Sequence, residues 1–252
     1  MTPKSPRCGA ARAISKLGLG SRSQGAQWVK EGRVRVNGRV VTDPEFPVSH
    51  GSDRVTVEGV ESSRPRLVIM LNKPRGLVTT TRDEQGRDTV YRCFAEAKLP
   101  WLAPVGRLDK ASEGLLLFSN DPAWAARVTD PATGPDKTYH VQIDRVPDSA
   151  LVANLHRGAD VDGERLRVKA VRCLRSGQKN GWLEITLDEG RNRQIRRLLS
   201  AFDITVLRLV RVCIGELKMG QLPKGGWRAV TEHEIESLGA AARPAAVSAK
   251  TR

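Results

Sequence analysis

The segment Glu61-Ser62-Ser63-Arg64-Pro65-Arg66 is polar, charged and interrupted by proline, and it divides the 252-residue chain into two parts with different patterning. It reads as a linker over residues 61–66, so the chain is expected to hold two modest domains rather than one large one. In the smaller part, residues 8–60, Ala10, Ala13, Ile14 and Leu17 recur at helical spacing, and Gly18 and Gly20 end that helix. Ser21 or Ser23 caps a second helix carrying Ala26, Trp28 and Val29, with Gly32 as the residue just beyond its end. Arg33-Val34-Arg35-Val36, the turn Asn37-Gly38 and Arg39-Val40-Val41 then predict a hairpin, because Asn-Gly suits a type I′ turn in which both central residues need positive φ. Asp53–Val57 alternates as a third strand.

From Leu67 the pattern becomes a longer mixture. Strands are expected at Leu67–Leu71, Leu115–Phe118, Thr138–Ile143, Trp182–Leu187 and Val206–Val210, and helices at Pro122–Val128, Ser149–Leu155 and Arg193–Phe202. They alternate without a regular βα repeat, which predicts an α+β domain over residues 67–239 with a mixed sheet and flanking helices rather than a doubly wound one. Residues 240–252, rich in Ala, Pro, Lys and Arg without periodicity, are expected to be a disordered basic tail.

The formal net charge of +14 points to a polyanionic partner, with nucleic acid and an anionic membrane surface as the leading classes. The residues up to Arg66 carry 12 Lys and Arg against 6 Asp and Glu, which makes the smaller part the more basic per residue. Arg12, Lys16 and Arg22 lie on or beside its helices, and Arg33, Arg35 and Arg39 flank its turn. No apolar run approaches the roughly 20 residues of a membrane span, and the first residues lack an apolar signal segment, so a cytoplasmic protein without membrane attachment is expected. Cys8, Cys93, Cys173 and Cys213 form no CxxC pair, and His50, His140, His156 and His233 no HxH or HxxxH pattern, so metal chemistry on His or Cys is not expected.

The helix–helix–hairpin with Gly20-Ser21-Arg22 and Gly32-Arg33-Val34-Arg35-Val36-Asn37-Gly38 resembles the S-four RNA-binding domain, whose helix N-termini and arginines face a phosphate backbone. Read by charge alone, the same surface could be merely solvated. Further on, Val105 to Leu117 is by itself a glycine-bounded loop followed by a buried strand, in which Asp109 could be a simple turn or cap residue. As a whole string, Gly106-Arg107-Leu108-Asp109 with Ser112-Glu113-Gly114-Leu115-Leu116-Leu117 resembles the catalytic motif of pseudouridine synthases. Asn72-Lys73-Pro74-Arg75-Gly76, Lys137-Thr138-Tyr139-His140-Val141, Glu189 to Arg197, and Leu209-Val210-Arg211 with Ile214-Gly215 resemble further motifs of that family in the family's order, and Gly226-Trp227-Arg228 resembles the ending seen in its ribosomal branch.

The resemblance implies a pseudouridine synthase fold, with a largely antiparallel central sheet, and isomerisation of a specific uridine in ribosomal RNA, large-subunit RNA favoured. It implies Asp109 as the catalytic carboxylate, Tyr139 against the target base, Arg196 as the arginine partner of Asp109, and Leu209 as an apolar pocket wall. Arg22, Arg33, Arg35, Lys73, Arg107, Lys137 and Arg193 are the expected RNA contacts. By pattern alone Tyr139 could be a core tyrosine, Lys73 an exposed loop residue, and Arg193, Arg196 and Arg197 one solvated helix face. No cofactor and no metal are expected, in keeping with the missing dinucleotide, phosphate-loop and His/Cys patterns. The expected partner is ribosomal RNA or a pre-ribosomal particle, met by a monomer. A non-catalytic ribosome-assembly factor is the alternative; an S-four-linked methyltransferase would need a Gly-rich cofactor loop after a strand, and none is present.

Overall fold

A computed structural model describes residues 7–49, 51–60, 65–81 and 83–239. Most of the expected linker and the expected disordered tail lie outside the described residues. Those described fall into two compact units. One takes in the residues up to Val68 together with Glu96–Ala103 and Phe118–Ala125; the other takes Ile69–Ala95, Pro104–Leu117 and the chain from Ala126 onward.

In the first unit β1 (Arg7–Gly9) leads into α1 (Ala10–Lys16) and α2 (Arg22–Lys30), followed by β2 (Val34–Val36), β3 (Arg39–Val41), β4 (Pro47–Ser49) and β5 (Val55–Val57). Ser21 caps α2 through a reciprocal box with Gln24. At the other end Arg33 N–H reaches the Trp28 carbonyl and Gly32 N–H the Val29 carbonyl, the pair of bonds that closes a helix on a left-handed glycine. Asn37 and Gly38 both have positive φ, as the type I′ turn requires, and join β2 to β3. β5 pairs with the other side of β2. The pairing of β1 with β4 was not expected, since three-residue strands with one apolar side chain each carry no readable alternation. The core is small and aliphatic: Ile14, Val29, Val34, Val36, Val41, Val48, Val55 and Val57. Gly25 allows the two helices to meet, because a Cβ there would lie 3.0 Å from the Ala11 carbonyl oxygen and 3.2 Å from Ile14 Cβ. Asn120 belongs to this unit and fastens the end of the expected linker and the residue after it, donating to the Pro65 carbonyl and accepting from Leu67 N–H.

The rest of the chain contributes β6 (Val68–Lys73), a 3-10 turn at Val90–Phe94, β7 (Ala103–Val105), β8 (Glu113–Ser119), α3 (Pro122–Thr129), β9 (Lys137–Ile143), α4 (Ser149–Arg157), β10 (Ala159–Val161), β11 (Glu164–Leu166), β12 (Ala170–Ser176), β13 (Gly181–Leu187), α5 (Gln194–Ser200), β14 (Val206–Ile214), β15 (Leu217–Lys218), β16 (Trp227–Ala229) and α6 (Glu232–Gly239). Nine strands make one sheet in the order β12-β13-β9-β14-β8-β6-β16, with β15 beside β14 and β7 beside β8. β14 runs parallel to β8 and antiparallel to β9, so the sheet is mixed and largely antiparallel. Strand β12 was not anticipated: its Arg172 and Arg175 interrupt the apolar pattern, which suits the edge it occupies.

One face of β9, β13 and β14 is dry. Val141, Ile143, Leu183, Ile185 and Leu187 pack there against Leu151 and Leu155 of α4 and Ile195, Leu198 and Leu199 of α5. Along β9 the same face runs from Ile143 and Val141, both fully buried, to the partly exposed Tyr139 and Lys137. The period of two thus carries the sheet from its core out to an open cleft. Where β8 enters the sheet, Gly114 has φ +102 and pairs with Arg211 of β14. A Cβ would stand 2.2 Å from the Arg211 carbonyl oxygen. Gly114→Ala is expected to cost roughly 3 kcal/mol or more in a denaturant titration, through both the backbone conformation and the displaced strand.

Candidate active site

Asp109 sits in the loop between β7 and β8, and five consecutive carbonyls of that loop are hydrogen-bonded. Thr79 Oγ1 donates to the Leu108 carbonyl at 2.7 Å, and Ser112 N–H to that of Asp109 at 2.9 Å. Gly76 N–H donates to Lys110 O at 2.8 Å and Arg196 Nη2 to Ala111 O at 3.3 Å. Lys73 Nζ donates to Ser112 O at 2.8 Å, to Asp109 O at 3.2 Å and to Pro74 O at 3.1 Å. With its backbone committed, the loop holds the Asp109 side chain in one place. That carboxylate caps no backbone N–H among the described residues; it is 40% exposed and lies 3.7 Å from Arg193 Nη1.

Two expectations are corrected here. Lys73 is fully buried and cannot touch RNA; its three donors are used up on carbonyls, two of them in the Asp109 loop. Burial pushes its pKa down to about 8, against the pull of Asp109 and Glu113. The second concerns the arginines. The one within ion-pair distance of Asp109 is Arg193, whereas Arg196 donates through Nη1 and Nη2 to the carbonyls of Val206 and Ala111 and keeps a buried Nε without a hydrogen-bond partner. Burial, and after it the charge of Arg193, disfavours the Arg196 cation, while nearby Asp109 favours it. Nor do the three arginines share a helix face. Arg193 precedes α5 with φ +48, outside the helix, while Arg197 turns to Glu164, Asp162 and the Val161 carbonyl. A left-handed residue at a helix start leaves no trace in side-chain periodicity, so the spacing was misleading.

Asp109, Arg107, Lys137, Tyr139, Arg193 and Leu209 all line one cleft of about 660 Å³, within the range of small-ligand pockets. Arg107 and Arg193 are exposed, Tyr139 and Lys137 are partly exposed, and Leu209 is buried at 7%. Tyr139 meets both readings given above, since it lines the cleft and packs against the core. The loop Glu189–Arg193 is held by buried Gln194, which donates to the Glu189 carboxylate and the Arg167 carbonyl and accepts from Arg191 N–H. Sequence reasoning assigned no role to Gln194, to buried Arg211, or to Glu113. Glu113 is buried, with Arg208 bidentate at 3.0 Å and Lys224 at 2.8 Å; burial opposes its ionisation, but these cations hold its pKa below the usual range. For Arg211 a signal existed, as it falls two residues after Leu209 on the same strand face.

In the first unit, Arg22 is exposed beside Glu45 at 3.7 Å, and Arg35 is exposed with one bond to the Gly38 carbonyl. Arg33 is partly engaged with the Glu58 carbonyl, Glu31 and the Trp28 ring.

The chain matches the family model for RNA pseudouridylate synthase over residues 67–201 and that for the S4 domain over residues 11–55. It is 35% identical to the ribosomal large subunit pseudouridine synthase B of Bacillus subtilis across 92% of this chain and 95% of that protein. To the protein of the same name from Haemophilus influenzae it is 32% identical, across 90% of this chain and 65% of that one. A crystal structure of a pseudouridylate synthase superposes with a TM-score of 0.64 at 28% identity, covering 92% of this chain and 99% of that one. The chain belongs to the RNA pseudouridylate synthase family, isomerases that turn uridine into pseudouridine, and carries an S4 RNA-binding domain at its N-terminal end. Among the described residues no helix is long and apolar enough to cross a membrane.

Proposed function

We propose that this chain converts a specific uridine of ribosomal RNA, in the large subunit, to pseudouridine, with Asp109 as its catalytic carboxylate. The observation that carries the reading is the Asp109 loop: its carbonyls are pinned by Lys73, Thr79, Gly76, Ser112 and Arg196, and the Asp109 carboxylate, 3.7 Å from Arg193, lines a cleft walled by Tyr139 and Leu209. A module that only bound RNA would have no use for so fixed a carboxylate, which repels phosphate. The names of the relatives support ribosomal RNA and the large subunit.

A uridine stacked in RNA is out of reach, so the nucleotide is flipped into the cleft. Asp109 then acts at the sugar, either by attacking C1′ or by taking the C2′ proton, while Arg193 orients it. Tyr139 stacks on the uracil, Leu209 excludes water on the other side, and Arg107 and Arg193 meet phosphates at the cleft edge. Residues 8–60 grip the RNA through Arg22, Arg33 and Arg35, residues 67–239 carry the chemistry, and the chain works as a cytoplasmic monomer on ribosomal RNA or a pre-ribosomal particle.

The test is tritium release from ribosomal RNA carrying uridine labelled at C5, since each turnover frees one C5 hydrogen. Release matching one uridine per RNA is expected; none would overturn the reading. RNA affinity is expected to depend steeply on salt. If about six phosphates are contacted, log K falls against log salt with a slope of roughly −4 to −5, measurable by filter binding between 50 and 200 mM salt.

A further inference from the structure

We propose that Lys137 and Arg211 hold the uracil ring, as the uracilate anion, between the breaking of its old bond to the sugar and the making of the new one. The inference rests on the proposed function. Both residues line the cleft from neighbouring strands, Lys137 on β9 opposite Ile214, and Arg211 on β14 opposite Tyr139. Of the cleft cations, Arg191 and Arg193 form ion pairs with Glu189 and Asp109; Arg107, Lys137 and Arg211 form none within 4 Å among the described residues, although the Asp136, Asp188 and Asp130 carboxylates act on Lys137 from farther off. Arg211 is only 6% exposed. Its Nε donates to the Leu115 carbonyl at 2.7 Å, but its Nη2 is buried with no hydrogen-bond partner. A buried guanidinium N–H without an acceptor is costly, and a second cation beside it adds to the cost, unless an anion completes the site. Burial, and next the charge of Arg211, lowers the pKa of Lys137 against the pull of Asp136, Asp188 and Asp130.

The surroundings favour a flat ring over a phosphate. Leu187, Leu209, Ile214 and Tyr139 line the same cleft, and exposure falls from Arg107 and Arg193 through Lys137 to Arg211. Backbone phosphates stay with the RNA at the exposed end, whereas the base is the part that enters.

The chemistry needs such a site. When C1′–N1 breaks, its electron pair leaves with the ring, whose negative charge spreads from N1 to O2 and O4. At the sugar, Asp109 either forms a bond to C1′ or takes the C2′ proton as C1′=C2′ forms. In the return step C5 bonds to C1′, Asp109 leaves C1′ or gives the proton back to C2′, and the C5 proton is lost while N1 gains one. Charge on the ring exists only between the two bonds. Donors to O2 or O4 there stabilise the transition states more than neutral uridine, and so raise the rate rather than the affinity.

The test compares the full-length wild type, Lys137→Met and Lys137→Arg in single turnovers at saturating ribosomal RNA, with filter binding alongside. One RNA carries uridine and another 5-fluorouridine at the target, whose ring leaves more readily as an anion; with fluorine at C5 the rejoined ring has no C5 proton to lose and adds water across N1=C6 instead, and both products are separated chromatographically after nuclease digestion. Lys137→Met is expected to slow conversion of uridine about 100-fold with RNA affinity nearly unchanged, Lys137→Arg to restore most of it, and the Met defect to shrink severalfold on 5-fluorouridine. An unchanged saturating rate, or equal losses on both RNAs, would overturn the assignment. So would weaker binding with a salt slope flatter by about one and a normal saturating rate, the mark of a phosphate contact. A wild type that converts neither RNA defeats the proposed function itself; an active wild type matched by Lys137→Met defeats only this inference.

Discussion

Asp109→Asn is expected to lower turnover by roughly 10⁴-fold or more while leaving RNA affinity unchanged or slightly higher. The amide keeps the size of the side chain but can neither attack C1′ nor accept a proton from C2′, and it no longer repels phosphate. Folding should be nearly unaffected, because among the described residues the Asp109 carboxylate caps no backbone N–H and its one ion pair, with Arg193 at 3.7 Å, is half exposed. If Asp109 were only a turn residue, Asn would serve about as well and activity would persist. Single-turnover rates beside equilibrium binding, with a thermal melt for each protein, separate the two cases.

Lys73→Met is expected to damage both stability and activity without removing any group that reaches the RNA. The ammonium bridges the carbonyls of Pro74, Asp109 and Ser112, and a thioether satisfies none of them. Loss of these charge-assisted bonds should cost roughly 3 kcal/mol, and the loop carrying Asp109 loses its support from beneath, so turnover should fall along with the melting temperature. The pH dependence has a definite sign. Burial lowers the pKa of Lys73 from 10.5 to about 8, so between those values the unfolded chain holds a proton that the folded chain has released. Wild-type stability should therefore gain on that of the Met variant as pH rises through this window. Equal stability of the two proteins at pH 7 would contradict the structural role of Lys73.

What was legible in the sequence was whatever repeats or has a local steric cause. The Asn37-Gly38 turn, the Ser21 cap and the Gly32 stop follow from residue types that satisfy particular backbone angles, and all three are present. The long strands β8, β9, β13 and β14 were visible as apolar alternation or runs, although β14 continues to Ile214, beyond the expected Val210. Short pairings such as β1 with β4 depend on contacts across the chain and have no local signature. The cleft was legible as a set of motifs, but not as a division of labour. Lys73 stands in a Pro-Gly turn that reads as surface and yet points into the protein, and Arg193 takes the place beside Asp109 expected of Arg196 because one residue with φ +48 ends the helical register. Buried Arg211 and Gln194 sit inside motifs already noticed; the period of two from Leu209 pointed to Arg211, whereas only three-dimensional burial marks out Gln194.

Pseudouridine mapping of ribosomal RNA tests the central claim most directly, using cells that lack this chain and the same cells supplied with the wild type or with Asp109→Asn. One large-subunit uridine should lose its modification in the deleted strain, regain it with the wild type and remain unmodified with the Asn variant. A map unchanged by the deletion, or restored as well by Asp109→Asn, would contradict the account.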